Sequence, residues 1–463
     1  MTKSPRQSEV ESKPTLNIFR NSKSKHTEMS NKHSKVSLRH SSLANYLRER
    51  PDSPITRSLG ALVKTWKFIH PGPAKRTVPL DRLLCGGEHG LPAAPYSRHT
   101  GDFMRPSTPI SQSPHTLFLA EYKSIGEVIF RPEVFHQTAY FANAVKCMNI
   151  IGQYFDCTRE DQIVEIARGF VKRFKGEEVS NNGNGKRSDE FSNADSMVEV
   201  RPIEFSDCYE VIDGNHRLAI ASARGLETYP VLVKFPAVRT PLQQLLLDYA
   251  WCAMRGELEI YQPVESPELG IHWSRIRRCD DRLEMAEKFL QEHRQELPER
   301  PTYLDIACSY GWFVRAFTEA GFDAYGVEID WAAIEIGRRV YGLKPEQVTR
   351  SEAVRWLENN QESYDVVSCF SLLHHFILNR ASVSAEEMLK MIDRATRKVL
   401  FLDMGEEHEE WFKESLAGWN PDRIEQWLKE NSTFTRIYRL GTDRDNVPPF
   451  ADNYARTMFA CMR

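Results

Sequence analysis

The sequence predicts an α/β protein: a doubly wound, mostly parallel sheet in the C-terminal half, a small α+β module in the middle, and a basic, disordered N-terminal tail. Three observations carry this expectation. From about Glu284 apolar strand runs alternate with amphipathic helix runs, the rhythm of a parallel sheet covered on both faces. Between Met197 and Phe235, strand-like runs bracket one short helix. The first 100 residues hold 18 Lys and Arg against 7 Asp and Glu, whereas the remainder holds 43 against 57, so the basic end is a separate feature.

Composition narrows the class. A chain of 463 residues suggests roughly three domains. Its nine cysteines contain no C-x-x-C pair, which argues against a zinc ribbon or a thioredoxin-type redox motif. Their odd number and low density argue against a disulfide scaffold, and no metal site is expected. Mean hydropathy is -0.50, and no apolar run approaches the roughly 18 residues a membrane span needs. The opening MTKSPRQSEVESKP lacks the apolar stretch of a secretory signal. A soluble cytoplasmic protein is expected.

Taken in order, residues 1–110 read as a disordered tail and a Pro/Gly-rich linker. Serine recurs with Lys, Arg and His (SKSKH, NKHSK, LRHSS), and such a segment buries too little surface to offset the entropy of ordering. Short helices are expected in SLANYLRER and SLGALVKTWKFI. A chain begun near residue 110 is expected to be as stable as the whole. Residues 111–255 form a helical segment plus the α+β module. FRPEVFHQTAYFANAVKCMNIIGQYF and EDQIVEIARGFVKRF have helical spacing, and GEEVSNNGNGKRSDEFSNADS is a polar loop. MVEVRPIEF, YEVID and YPVLVKF are strands. GNHRLAIASARG is a helix stopped by Gly225, and PLQQLLLDYAWCAM is one further helix. Residues 256–284 read as a connector.

The last domain, 285–463, alternates. EMAEKFLQEHRQEL, GWFVRAFTEAG, WAAIEIGRRVYG, AEEMLKMIDRAT and DRIEQWLKENS are helices. TYLDIAC, AYGVEID, YDVVSCFSLL and KVLFLDMG are strands, with FTRIYRLG and ARTMFACMR as a closing pair.

The C-terminal half holds the sharper site. Leu304 to Gly311 ends a strand and opens a helix, where backbone N–H groups face a ligand. Seventeen residues after Gly311 a second strand ends in Glu328, placing both at the carboxyl edge of adjacent strands. A carboxylate there can accept two hydrogen bonds from a ribose diol. Asp305 at the first strand end would repel a pyrophosphate but favour a ligand bearing an ammonium and a sulfonium. That sign points to S-adenosylmethionine rather than NAD.

LDIACSYG resembles the first motif of the class I S-adenosylmethionine-dependent methyltransferases, acid-x-Gly-x-Gly-x-Gly, with Ala307 and Ser309 in place of two glycines and Gly311 retained. The resemblance covers roughly residues 285–463 and implies a seven-stranded, Rossmann-like sheet. It implies Glu328 as the ribose acid, Glu352 in RSEAVRWL as the adenine contact, and YDVVSCFSLLHHF as the fourth-strand motif. Methyl transfer is an in-line displacement in which positioning supplies much of the acceleration. An oxygen nucleophile also has to lose a proton, and His374 and His375 are the candidate bases. Tyr310 and Trp312 are candidates for a wall of the cofactor site or for the core.

The middle module suggests a second site. Asp213, Gly214, Asn215, His216 and Arg217 run from a strand into a helix: Gly214 permits a tight turn, the helix start offers N–H groups, and Arg217 adds a charged fork. DGNHRLAIA followed by PVLV resembles the ParB/sulfiredoxin-like superfamily over residues 196–236, which implies binding of a nucleotide or a phosphorylated ligand. Asn215 stands where sulfiredoxin chemistry needs a cysteine, so reductase activity is not implied. The arginine-rich box of chromosome-partition proteins is absent, so DNA partitioning is not implied either.

The function expected is methyl transfer from S-adenosylmethionine to a glycan or a phosphorylated small molecule. GWNPDRIEQWLKENSTF and DNYARTMFAC resemble stretches of methyltransferases from bacterial surface-polysaccharide clusters. The alternative is a nucleotide-dependent kinase or regulatory binding protein built on the middle module, with Glu199 or Glu204 as its acid and a degenerate methyltransferase scaffold. Nucleic acid is not an expected partner. No basic–aromatic stripe enters the folded region, and SCFSLLHHF lacks the Asn/Asp-Pro-Pro-aromatic pattern of amino-methylating nucleic-acid enzymes.

Overall fold

The computed structural model describes residues 73–85, 108–155, 157–176, 197–270 and 272–463. Most of the basic tail, both short helices expected in it and most of the polar loop after Lys175 lie outside those residues.

Five strands build the middle sheet: β1 (Ala74–Pro79), β2 (Leu83–Leu84), β3 (Val198–Pro202), β4 (Tyr209–Asp213) and β5 (Thr228–Val233), ordered β1-β5-β3-β4-β2. The domain therefore starts well before residue 111, and the expected tail-and-linker boundary at 110 is corrected. β1 pairs antiparallel with β5 and β2 parallel with β4, so both edges of the sheet come from the stretch read as linker. Leu83, Leu84 and Cys85 are fully buried. Two short strands beside prolines give no periodic signal, yet burying their apolar residues holds them in place.

Helices cover this sheet. Pro114–Ile125, Ala139–Ile151, Ile163–Lys175 and Asn215–Ala223 enclose an aromatic core of Phe118, Phe135, Tyr140, Tyr154 and Phe170. The long helical run expected before residue 155 is split into Pro132–Phe135 and Ala139–Ile151. Thr138 caps the second piece, its hydroxyl accepting from Phe141 N at 3.1 Å. PLQQLLLDYAWCAM is likewise two helices, Pro241–Asp248 and Ala250–Arg255, broken at Tyr249 with φ -61° and ψ 131°. Asp330 Oδ2 accepts from Ala250 N at 3.0 Å, a start signal from another part of the chain. The expected connector holds a parallel strand pair, β6 (Glu259–Ile260) and β7 (Ser274–Arg275).

The C-terminal sheet contains β8 (Thr302–Ile306), β9 (Asp323–Glu328), β10 (Val348–Arg350), β11 (Tyr364–Phe370), β12 (Thr396–Asp403), β13 (Arg436–Thr442) and β14 (Thr457–Met462). Its order is β10-β9-β8-β11-β12-β14-β13. The first five positions are parallel, and β14 runs antiparallel to both neighbours. Side chains alternate between two cores. Leu304, Ile306, Leu400 and Leu402 meet Met388, Leu389 and Trp427 on one face, whereas Tyr303, Val399 and Phe401 meet Phe289, Phe313 and Phe317 on the other. Helix Asp280–Glu292 belongs to this second layer, so the domain begins slightly before the expected residue 285. Strand order reverses between β8 and β11, which makes their carboxyl ends the place where a ligand fits. No helix among the described residues is long and apolar enough to cross a membrane.

Candidate functional site

Between β8 and helix Trp312–Glu319 the backbone turns left-handed three times, at Ala307 (φ 60°), Ser309 (φ 54°) and Gly311 (φ 76°). These are the positions where the sequence motif has or replaces glycine. For Ala and Ser that conformation costs roughly 1–2 kcal/mol each, so neighbours must hold it. Glu328, at the end of β9, does so with its carboxylate, which accepts from Ser309 N, Ile329 N and Asp330 N, each at 2.8 Å. Gln262 adds a clamp, donating to Cys308 O at 3.1 Å and accepting from Trp312 N at 3.2 Å. Tyr261 N donates to the Tyr310 hydroxyl at 3.2 Å. At Gly311 (φ 76°) a Cβ would stand 2.6 Å from Leu343 Cδ1, so a larger residue there would need the Leu343 tip to shift in addition to the left-handed strain.

Asp305 is buried beside this loop. Its Oδ1 accepts from Ser368 Oγ at 2.6 Å, and burial pushes its carboxyl up to about 7. Burial also raises Glu328, to about 6, against the pull of its three N–H donors. Asp305 faces a cavity of about 30 Å³ whose walls include Tyr261, Gln262, Arg277, Arg282 and Ser371. The sequence reading did not single out these five residues. Tyr261 to Arg282 lie in the stretch read as a connector, and only the fold brings them over the switch point.

Behind the cavity lies a buried ionic network. Arg277 Nη2 stands 3.4 Å from Asp403 Oδ2 and 3.3 Å from Asp443 Oδ2, and its Nε 3.1 Å from Asp445 Oδ2. Arg282 Nη1 reaches Asp403 at 3.0 Å. Arg456 grips Glu409 with two bonds of 2.7 and 2.8 Å and donates to Ser371 Oγ at 3.0 Å. Asp403 Oδ1 accepts from Ser371 N and Oγ, and Ser371 itself is left-handed with φ 56°. The network fastens the connector and the 443–456 loop to the carboxyl ends of β11 and β12.

The remaining predicted residues fare differently. Glu352 is exposed and caps helix Ala353–Asn359, accepting from Val354 N at 3.1 Å and Arg355 N at 2.8 Å. His374 is buried, with Nδ1 accepting from Gly405 N at 3.2 Å, and burial drives its pKa well below the usual range. His375 is pushed down to about 4. Both are neutral at pH 7 and weak as bases, and neither lines the cavity. Tyr310 and Trp312 pack in the core.

In the middle turn the structure corrects part of the expected anion site. His216 lies inside the aromatic core, its Nε2 2.9 Å from the Tyr140 hydroxyl, and Asn215 is also buried. Arg217 pairs with Asp213 at 2.6 Å. The spacing His216, Ala219, Ile220, Ala223 is one helix face turned toward that core, a signal present in the sequence. Of the expected set, Asp213, Gly214 and Arg217 retain access to solvent. Glu199 is ion-paired with Lys234, and Glu204 with Arg239 at 2.5 Å.

Comparison with known proteins gives one family match. Residues 275–431 match the family model described as a methyltransferase domain. Among solved structures, the bifunctional kinase-methyltransferase WbdD is 17% identical over 48% of this chain and 46% of that one, with a TM-score of 0.38. Magnesium protoporphyrin IX methyltransferase from Synechocystis PCC 6803, with bound SAM, is 15% identical over 40% and 78%, with a TM-score of 0.29. The methyltransferase domain of a bacterial Hen1 is 14% identical over 39% and 97%, also at 0.29. The chain spans less than half of the length of the WbdD structure it matches. No curated protein matches the chain.

Proposed function

We propose that the chain is a methyltransferase that uses S-adenosylmethionine. The observation that carries this is the pair of buried carboxylates, Asp305 and Glu328, at neighbouring strand ends beside the switch point. When bound, the donor supplies a methyl group on a sulfonium. Asp305 offers a carboxylate to the ammonium of that donor. Glu328 orders the loop and keeps spare acceptor capacity for a diol, since each carboxylate oxygen can accept two hydrogen bonds. The left-handed loop brings backbone close to the ligand, and no phosphate has to be accommodated there.

The acceptor we propose is a sugar or another small molecule. A groove of about 520 Å³ lies beyond Tyr261, lined by Trp411, Phe450, Asn453, His272 and Ser274 among others. Trp411 is 39% exposed, an aromatic face of the kind on which a sugar ring stacks. Arg217 at the middle turn is the candidate contact for a phosphate on the acceptor, once Asp213 is displaced from it.

The test is transfer of isotope-labelled methyl from S-adenosylmethionine by the full chain to a panel of mono- and oligosaccharides and their phosphates. Label on a sugar, lost in Asp305→Asn, supports the proposal. A folded protein that binds the donor but labels none of the panel removes the sugar acceptor and leaves the donor site standing.

A further inference from the structure

The groove beyond Tyr261 holds polar groups that the protein leaves unspent. Asn453 is 8% exposed, and its Oδ1 accepts from Trp411 N at 3.1 Å. A backbone N–H can meet only the amide oxygen, so the NH2 end of Asn453 is left for the groove that it lines. Asn453 Nδ2, the Ser274 hydroxyl and the His272 ring make no hydrogen bond with any described residue, and all three side chains line the groove. A buried side chain with an unused donor is rare unless a ligand or water completes it. Trp411 supplies the flat wall. Its ring meets Tyr454 at 5.4 Å, Phe450 at 6.0 Å and Trp251 at 6.3 Å, all edge to face. Those contacts hold the ring in place yet leave it 39% exposed, so a ligand that stacks on it pays little to order it.

Charge and size narrow the ligand. Glu257 and Glu259 line the groove and, among the described residues, no Lys or Arg does. An anionic ligand would meet like charge there. The volume of about 520 Å³ falls within the roughly 300–1,000 Å³ of sites that enclose ligands larger than one sugar ring. We propose that the groove binds two or more rings of an uncharged sugar chain. One ring stacks on Trp411, an oxygen of that ring or its substituents accepts from Asn453 Nδ2, and Ser274 reads a neighbouring hydroxyl. The acceptor end lies toward Tyr261, which packs beside Phe450 and lines the chamber that Asp305 faces. The proposal rests on the sugar-acceptor reading above and deepens it: the methyl acceptor is the end of a neutral glycan, and any phosphate on it lies outside this groove. Asn453 and Trp411 become specificity-determining residues.

The experiment is calorimetric binding of gluco- and manno-oligosaccharides of one to four rings to the full chain without donor, beside transfer of labelled methyl to the same sugars. Affinity should rise at least about tenfold from one ring to three, and a trisaccharide with a uronic acid ring should bind more weakly than its neutral counterpart. Asn453→Asp keeps an acceptor for Trp411 N but removes the NH2 group. It should weaken trisaccharide binding about threefold to tenfold while leaving S-adenosylmethionine affinity within about twofold. Trp411→Ala should erase the gain with chain length, and Trp411→Phe should keep part of it. Because Trp411 also packs on the 447–454 loop, Ser274→Ala is the control for folding: its hydroxyl has no partner in the protein, so trisaccharide affinity should fall about twofold or more at an unchanged melting temperature. Equal affinity for one ring and three, or trisaccharide binding unchanged in Asn453→Asp and Ser274→Ala, overturns the chain site, and label on a monosaccharide then leaves the sugar acceptor standing. Tighter binding of the uronic trisaccharide overturns the neutral class. A folded wild type that neither binds nor methylates any of these sugars overturns the sugar acceptor with it.

Discussion

The Tyr249 hydroxyl stands 3.2 Å from the Ser309 hydroxyl. Tyr249 is the break between two helices of the middle segment, and Ser309 is a left-handed residue of the loop between β8 and its helix. Together with Asp330, which accepts from Ala250 N, this contact seats the middle segment directly on the carboxyl edge of the C-terminal sheet. Tyr249→Phe keeps the ring against Tyr310 but removes the bond, and should lower stability by about 0.5–1.5 kcal/mol in urea denaturation. An unchanged midpoint would show that the hydroxyl contact is idle.

The loop predicts opposite outcomes for two kinds of substitution. Ala307→Gly and Ser309→Gly relieve a left-handed conformation, worth roughly 1–2 kcal/mol, against an entropic cost of about 0.4–1 kcal/mol. Ala307→Gly should be neutral or stabilising by up to about 1.5 kcal/mol, and Ser309→Gly, which also loses the Tyr249 hydroxyl bond, should fall below it by about 0.5–1.5 kcal/mol. Gly311→Ala, with a Cβ only 2.6 Å from Leu343 Cδ1, should destabilise by more than about 1 kcal/mol. Denaturation curves of the three variants separate these cases.

The edge strands predict a truncation effect. A chain beginning at residue 110 loses β1 and β2, and with them Val78, Leu80, Leu83, Leu84 and Cys85 from the core. Its first melting transition should fall by several degrees relative to a chain beginning at residue 73. Equal melting temperatures would mean that these strands add nothing to the sheet.

Asp305 and Glu328 predict a pH dependence with a definite sign. Burial raises them to about 7 and about 6, above the ordinary carboxylate range. Between about pH 4 and pH 7 these two groups hold protons in the folded protein that the unfolded chain releases, so their contribution to stability falls as pH rises through that window. Asp305→Asn should flatten the decline. Donor binding should run the other way: an ammonium favours the ionised carboxylate, so affinity rises toward pH 7 and binding releases a proton. Titration in two buffers of different ionisation heat measures that proton, and no release at pH 6 would contradict an ammonium on Asp305.

Much of the C-terminal fold is legible locally. Leu304 and Ile306 alternate with Tyr303 and Asp305, and the acids at 305 and 328 stand at strand ends that hydrophobic runs mark plainly. What the sequence hides is partnership at long range. Arg277 finds Asp403, Asp443 and Asp445 far along the chain, and Gln262 clamps a loop almost fifty residues away. No local period encodes such pairs. β10 is three residues long, too short for alternation to register. His216 is the instructive reverse. Its place on an apolar helix face is encoded in the spacing it shares with Ala219, Ile220 and Ala223, and that burial outweighs the resemblance of the surrounding turn to an anion site.

The most direct measurement is a calorimetric titration of the full chain and its Glu328→Gln and Arg217→Ala variants with S-adenosylmethionine. The wild type should bind at one site per chain. Glu328→Gln should weaken binding by about tenfold or more through loss of charge-assisted acceptance, and Arg217→Ala, on the separate middle turn, should bind as the wild type does. A correctly folded wild type that gives no binding heat and shows no displacement of a fluorescent adenosine analogue would contradict a donor site at Asp305 and Glu328.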